Sequence, residues 1–341
     1  MNFLKKIITN EGPRETFNNK KIVESAYLKN IKYFSFGKKN PNKKFYIINR
    51  TPGSGLFSNV TYVLNQLNIC DIMNFIPIID MKNFPTIYNE NKKINYSHNS
   101  WNYYFKSINN YKLKDVYNSK NVFFSSGKFE DHMPLDATNK RICFFFKKIK
   151  VLRKIILLSN KFYNNNFAKK DRVLGVHFRG STYKIARGHA FPATKEIMLE
   201  NVLKLMKKHN YNKIFLVTEE KEYLNFFKKK LGLKCVYSQH FRMEKADSFK
   251  IYPRKMHRYK LGLEILIDTL ILSRCAGLTY IKSNIISAAI LFSKRKKKLH
   301  EIFLGYNSRN KFVSRWLWFL KSMFPSNYYG LKIIKKISIN T

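Results

Sequence analysis

The chain has 341 residues, room for two domains of ordinary size, and its 45% hydrophobic and 16% aromatic content argues against a disordered chain. Its formal net charge is +44, but 51 of the 65 cations are Lys and only 14 are Arg. Lys is a hydrated point charge and groove readers lean on the Arg fork, so this balance disfavours sequence-specific nucleic-acid recognition and fits attraction to an anionic membrane surface or an anionic substrate.

In chain order, "KKFYIINR" (43–50) reads as a strand, "GLFSNVTYVLNQLNICDIM" (55–73) as an amphipathic helix and "FIPIID" (75–80) as a second strand. The aromatic stretch "SWNYYFKSINNY" (100–111) reads as helical and "NVFFSSG" (121–127) as a strand, and a long basic helix is expected from about 140 to 168. From residue 172 strands and helices alternate clearly. "RVLGVHFRG" (172–180) is a buried strand, 194–210 a helix with Thr194 as its N-cap, and "KIFLVTEE" (213–220) a strand. A helix at 222–232 stops at Gly232, "KCVYSQ" (234–239) is a strand, and an irregular basic segment runs from His240 to Arg258. The helix 259–275, the strand "GLTYIKS" (277–283), a helix from about Ser283 and Asn284, and "LHEIFLG" (299–305) complete the series.

Such alternation specifies parallel sheets covered on both faces, with ligands at the carboxyl ends of the strands. The expected architecture is α/β, with two Rossmann-like doubly wound domains, residues 1–168 and 169–305, facing a cleft. A basic amphipathic tail, 306–341, either lies at a membrane interface or packs back on the first domain. The cysteines Cys70, Cys143, Cys235 and Cys275 show no CxxC spacing, so neither a zinc knuckle nor a disulfide framework is indicated. The amino-terminal apolar run is short for a signal peptide, and the most apolar stretch, 261–281, is interrupted by Glu264, Asp268 and Arg274. A cytoplasmic protein, soluble or peripheral to the inner membrane face, is the expectation.

Polar residues at strand ends are the candidate site. His177 and Arg179 close an apolar strand; Arg179 offers a fork for phosphate or carboxylate, or pairs with a neighbouring loop. His177 is either a satisfied core residue or a ligand contact, and Gly180 lets backbone and ligand approach. Thr218 and Glu219 end the next strand, and Ser283 with Asn284 opens a helix whose free N–H groups suit an anion, unless they are ordinary caps. In "RTPGSGLFSN" (50–59), Gly53 and Gly55 permit close approach and Asn59 is a hydrogen-bonding residue, although no Gly-Lys-Ser/Thr follows. No Asp-x-Asp pair, GxSxG elbow or HExxH is present, which disfavours a metal-held diphosphate and serine or zinc hydrolysis.

Together "GVHFRGSTY", "FLVTEE" and "GLEILIDTLILSRCAGLTYIKSNIISAA" resemble the three successive motifs of the fucosyltransferase-like superfamily, and "PGSGLFSN" is similar to that superfamily's glycine-rich, Asn-containing loop. The resemblance covers roughly 172–293 and, in the first half, 46–105. It implies a GT-B enzyme that uses a GDP-sugar, inverts the anomeric centre and needs no metal or other cofactor. By motif, Arg179 would bind the diphosphate, Thr218 to Glu220 and Ser283–Asn284 would line the nucleotide, and Asp268 would support the donor site from its helix. Thr182 stands where the pattern has an acid, and His189 and Glu219 are the candidate bases. The implied function is transfer of fucose from GDP-fucose to a saccharide or lipid-linked saccharide in surface polysaccharide, lipopolysaccharide or glycan assembly. The alternatives are another nucleotide sugar, or a non-catalytic basic protein of the same fold that binds membrane or nucleic acid.

Overall fold

The structure, a computed structural model, describes residues 31–125, 133–242, 248–325 and 330–332, the side chains of Ser181 and Thr182 apart. The amino-terminal stretch, the end of the 121–127 strand and the tail beyond Lys332 lie outside the described residues. Among the described residues the chain forms two compact units, one of 31–159 with 252–269 and the other of 160–251 with 270–332.

In the first unit β1 (Lys32–Phe34), β2 (Lys39–Ile48), β3 (Ile76–Ile79) and β4 (Ser119–Phe124) form one sheet in the order β1-β4-β2-β3. β2 runs parallel to β3 and β4, and β1, which was not anticipated, adds an antiparallel edge to β4. Phe45, Ile47, Ile78, Val116 and Val122 form a core cluster, the alternate residues of β2 sharing one face. Helix α1 (Leu56–Met73) is buried nearly all round, polar residues included. Its amides are satisfied: Gln66 Oε1 accepts from Tyr46 Oη at 2.8 Å, and Asn65 exchanges bonds with the backbone of Met133 at 2.8 and 3.0 Å. The helix ends at Asn74 in the left-handed region, φ 54°.

Two expectations for this half need correction. The aromatic stretch at 100–111 contributes only a 3-10 turn, Ser100–Tyr103, followed by the short helix α2 (Leu113–Val116). The long helix expected from 140 breaks into α3 (Lys140–Phe146) and α4 (Arg153–Asn166). Between them the backbone is claimed by that same aromatic stretch: Phe105 bridges Val151, Lys106 N–H donates to Lys150 O at 2.8 Å, and Leu152 N–H to Tyr104 O at 3.0 Å. Periodicity continues through this break because Ile149, Val151 and Ile155 are all buried, although the backbone between them is extended.

The second unit is the cleaner one. Strands β5 (Val173–His177), β6 (Lys213–Val217), β7 (Cys235–Val236), β8 (Gly277–Tyr280) and β9 (Lys298–Glu301) make an all-parallel sheet in the order β7-β6-β5-β8-β9. Helices α5 (Lys195–His209) and α6 (Lys221–Leu231) bring Met198, Leu199, Val202 and Phe227 onto Leu174, Val176, Ile214 and Leu216. Thr194 caps α5, accepting from Ile197 N–H at 3.3 Å, and Gly232 follows α6 at φ 52°. The α/β class, with two largely parallel sheets, is therefore what the chain forms. Helix α7 (His257–Leu272) belongs to the first unit as far as Thr269, so the irregular basic segment is also the return to that unit. Helix α8 (Asn284–Phe292) follows β8.

The tail supplies α9 (Val313–Met323), which packs on the second unit and not on the first, correcting the second of the two alternatives drawn from the sequence. Trp318 is buried with Phe191 and Leu331, and its indole N–H donates to Pro192 O at 2.8 Å. Among the described residues no helix is long and apolar enough to cross a membrane.

Candidate functional site

The strand order of the second sheet sets the site. From central β5 the chain winds one way through β6 and β7 and the other way through β8 and β9, so the carboxyl ends of β5 and β8 are a topological switch point, where covering connections diverge and leave room for a ligand.

β5 ends there in His177, in register with Val217 on one side and Tyr280 on the other. Its imidazole is 3% exposed. Burial first, and then the charge of Arg179, lowers its pKa to about 3, so the ring is neutral at physiological pH. Nδ1 lies 3.4 Å from Ser283 Oγ, and the same hydroxyl accepts from Ile286 N–H at 3.4 Å as the N-cap of α8. One serine thus ties the end of β5 to the positive end of the helix that follows β8.

Past His177, Phe178 N–H donates to Val217 O at 2.8 Å and its ring stacks on Tyr223 at 4.1 Å. With Phe178 fixed in the core, Arg179 is left half-buried, its guanidinium 3.6 Å over the ring centroid of Tyr183. Among the described residues no carboxylate pairs with it, which is the arrangement an anionic ligand needs. His189 lies edge-on to Tyr183, 4.9 Å between centroids, with solvent on its other side. The packing around this ring, and secondarily Arg179, lowers its pKa.

Gly180 has a different reason from the one expected. A Cβ there would sit 1.9 Å from a Glu220 carboxylate oxygen and 2.7 Å from the Tyr223 ring, so the hydrogen makes room for protein. Glu220 is buried and pairs with Lys184 Nζ at 3.6 Å; Lys184 itself stands over the rings of Tyr223 and Trp318 at 5.1 and 4.9 Å. At the end of β6, Thr218 is buried and its carbonyl accepts from Arg242 Nε at 3.1 Å, while Glu219 is exposed.

The structure therefore gathers His177, Arg179, Gly180, Thr218, Ser283 and Asn284 at neighbouring strand ends, with His189 beside Arg179 through Tyr183. Sequence reasoning missed Tyr183, Lys184 and Arg242. Tyr183 and Lys184 stand within five residues of Arg179, and their proximity was the available hint. Arg242 comes from the irregular segment, where no periodicity marks position.

The remaining candidates lie in the first unit. Gly53 has φ +72°, and its loop is closed by Asn59, whose Oδ1 accepts from Ser54 N–H at 2.9 Å and whose amide donates to Ser54 O at 3.0 Å. Asn59 is buried and braces the turn. Gly55 is the N-cap of α1 and a Cβ there would meet nothing within 4 Å. Asp268 is buried in the part of α7 that belongs to the first unit. Among the described residues no three His, Cys, Asp or Glu side chains converge as metal ligands.

The chain is similar in structure to several solved fucosyltransferases. One is the NodZ alpha-1,6-fucosyltransferase soaked with GDP-fucose, 14% identical, with 74% of this chain and 93% of that chain covered and a TM-score of 0.49. Others are the fucosyltransferase NodZ from Bradyrhizobium (15% identity, 74% and 94% covered, TM-score 0.46) and apo POFUT1 (11%, 77% and 99%, TM-score 0.42). No protein-family model matches the sequence, and no curated protein matches it.

Proposed function

We propose that the protein is a metal-independent, inverting glycosyltransferase of the GT-B kind. It transfers fucose from GDP-fucose to a free or lipid-linked saccharide, on the cytoplasmic side, in surface polysaccharide, lipopolysaccharide or glycan assembly. The observation that carries the reading is the switch point of the second sheet, where Arg179, with no acid partner among the described residues, stands with the Ser283-capped start of α8 at the ends of β5 and β8.

In the reaction an acceptor hydroxyl oxygen forms a bond to the sugar's anomeric carbon. The bond from that carbon to the diphosphate oxygen breaks, and the leaving GDP keeps the electron pair. Arg179 and the α8 start would meet the negative charge as it builds, a stabilisation greatest in the transition state. Neutral His177 holds Ser283 without adding a charge. The hydroxyl proton goes to His189 or Glu219. The lowered pKa of His189 keeps its imidazole unprotonated near neutral pH, the form that can accept a proton, while making it a weaker base.

Turnover of GDP-fucose with a panel of saccharide acceptors tests the proposal. Arg179→Ala is expected to lower kcat by about 10²–10³, the loss typical of removing one transition-state donor. A variant within about tenfold of wild type would contradict the role given to Arg179.

A further inference from the structure

Helix α9 turns its apolar side outward. At about 100° per residue, Phe312, Val313, Trp316, Phe319, Leu320, Met323 and Phe324 share one arc of about 140°, whereas Ser314 and Trp318 lie on the opposite side. Ser314 and Trp318 are buried, and every residue of the wide arc is exposed, Trp316 by 68%, Met323 by 62% and Phe312 by 74%. A surface helix of a water-soluble domain has the reverse pattern. Trp318, clustered with Phe191 and Leu331 and donating to Pro192 O, seats this helix on its own unit from the side opposite the arc.

The charges around the arc indicate what covers it. No Asp or Glu follows Glu301 in the sequence, while Arg309, Lys311 and Arg315 are exposed at the start and flank of the helix. The whole chain carries +44. A second copy would bring like charges together over the apolar contact, whereas an anionic lipid surface offers phosphates to the cations and an acyl boundary to the aromatics.

We propose that α9 is a membrane-docking helix that lies in the plane of an anionic bilayer, its Phe312–Trp316–Phe319–Leu320–Met323 face in the headgroup and acyl boundary and Arg309, Lys311 and Arg315 at the lipid phosphates. The inference does not depend on the sugar-nucleotide reading, because none of these residues is part of the strand-end site.

Flotation of the full chain with phosphatidylcholine vesicles, with and without phosphatidylglycerol, tests it. Wild type is expected to float with the anionic vesicles and far less with the neutral ones. A Trp316→Ser, Phe319→Ser, Met323→Ser variant, altered only at exposed positions, is expected to keep its circular dichroism and its GDP binding and to lose vesicle association by about tenfold or more. Trp101 and Trp318 are buried, so a blue shift of tryptophan emission on anionic vesicles reports Trp316; Trp316→Phe should abolish the shift and keep the flotation. Equal flotation of the triple variant and wild type would assign binding to the lysine surface and overturn the proposal. So would absence of wild-type flotation, whether light scattering finds a monomer or a dimer that the triple variant dissociates.

Discussion

At the scale of single residues, burial and charge separate the roles of His177 and Arg179. The His177 pKa falls from 6.5 to about 3 on folding. Below pH 6.5 the unfolded chain takes up a proton that the folded chain refuses, so the stability from keeping this ring neutral is full above that pH and is lost as pH falls toward 3. Denaturant unfolding from pH 7 to 4 should show wild-type stability declining more steeply than that of His177→Gln, by up to about 1.4 kcal/mol per pH unit. Parallel profiles would contradict a buried neutral imidazole. Gly180→Ala should cost about 1–3 kcal/mol through the clash with Glu220 and Tyr223, read as a lower denaturation midpoint, with part recovered in Gly180→Ala, Glu220→Ala. Arg179 was legible in the sequence because an apolar strand that ends in Arg-Gly has no packing reason to do so. The reason for Gly180 was not, since the group that crowds it is 40 positions away and is revealed only by the pairing of β5 with β6.

Elements follow the same division. In the second unit periodicity, Thr194 and Gly232 located helices α5 and α6 closely, because buried parallel strands and two-faced helices leave few other ways to read the pattern. The break between α3 and α4 was illegible, as it is imposed by hydrogen bonds from residues 104–106, far away in sequence. The ends of α1 and α5 fall where the 55–73 and 194–210 readings put them, at Asn74 and Asn210, both in the left-handed region that Asn tolerates next after Gly. Ser283 serves as an ordinary cap and as the link to His177. Ser283→Ala should therefore lower stability by about 1 kcal/mol, measured by the denaturation midpoint, and should also weaken binding of a nucleoside diphosphate. Loss of stability with unchanged diphosphate binding would confine Ser283 to capping.

The whole molecule is governed by its net charge of +44, which opposes compactness through self-repulsion. Raising ionic strength from ~0.01 to ~0.15 M shortens the screening length from ~30 to ~8 Å, so the melting temperature should rise with sodium chloride over this range. A flat response would mean that the cations are too dispersed to matter. The class of the fold was readable from the alternation of elements, but the return of residues 252–269 to the first unit was not, because helix α7 is continuous across the division. The central claim is that the second sheet's switch point binds a nucleoside diphosphate through Arg179. Calorimetric titration with GDP, UDP and ADP in EDTA, for wild type and Arg179→Ala, tests it most directly. The account predicts GDP-selective binding that is lost in the variant and changes little with salt, since few phosphates are engaged. Folded wild-type protein that binds none of the three, or an Arg179→Ala variant that binds as tightly as wild type, would contradict it.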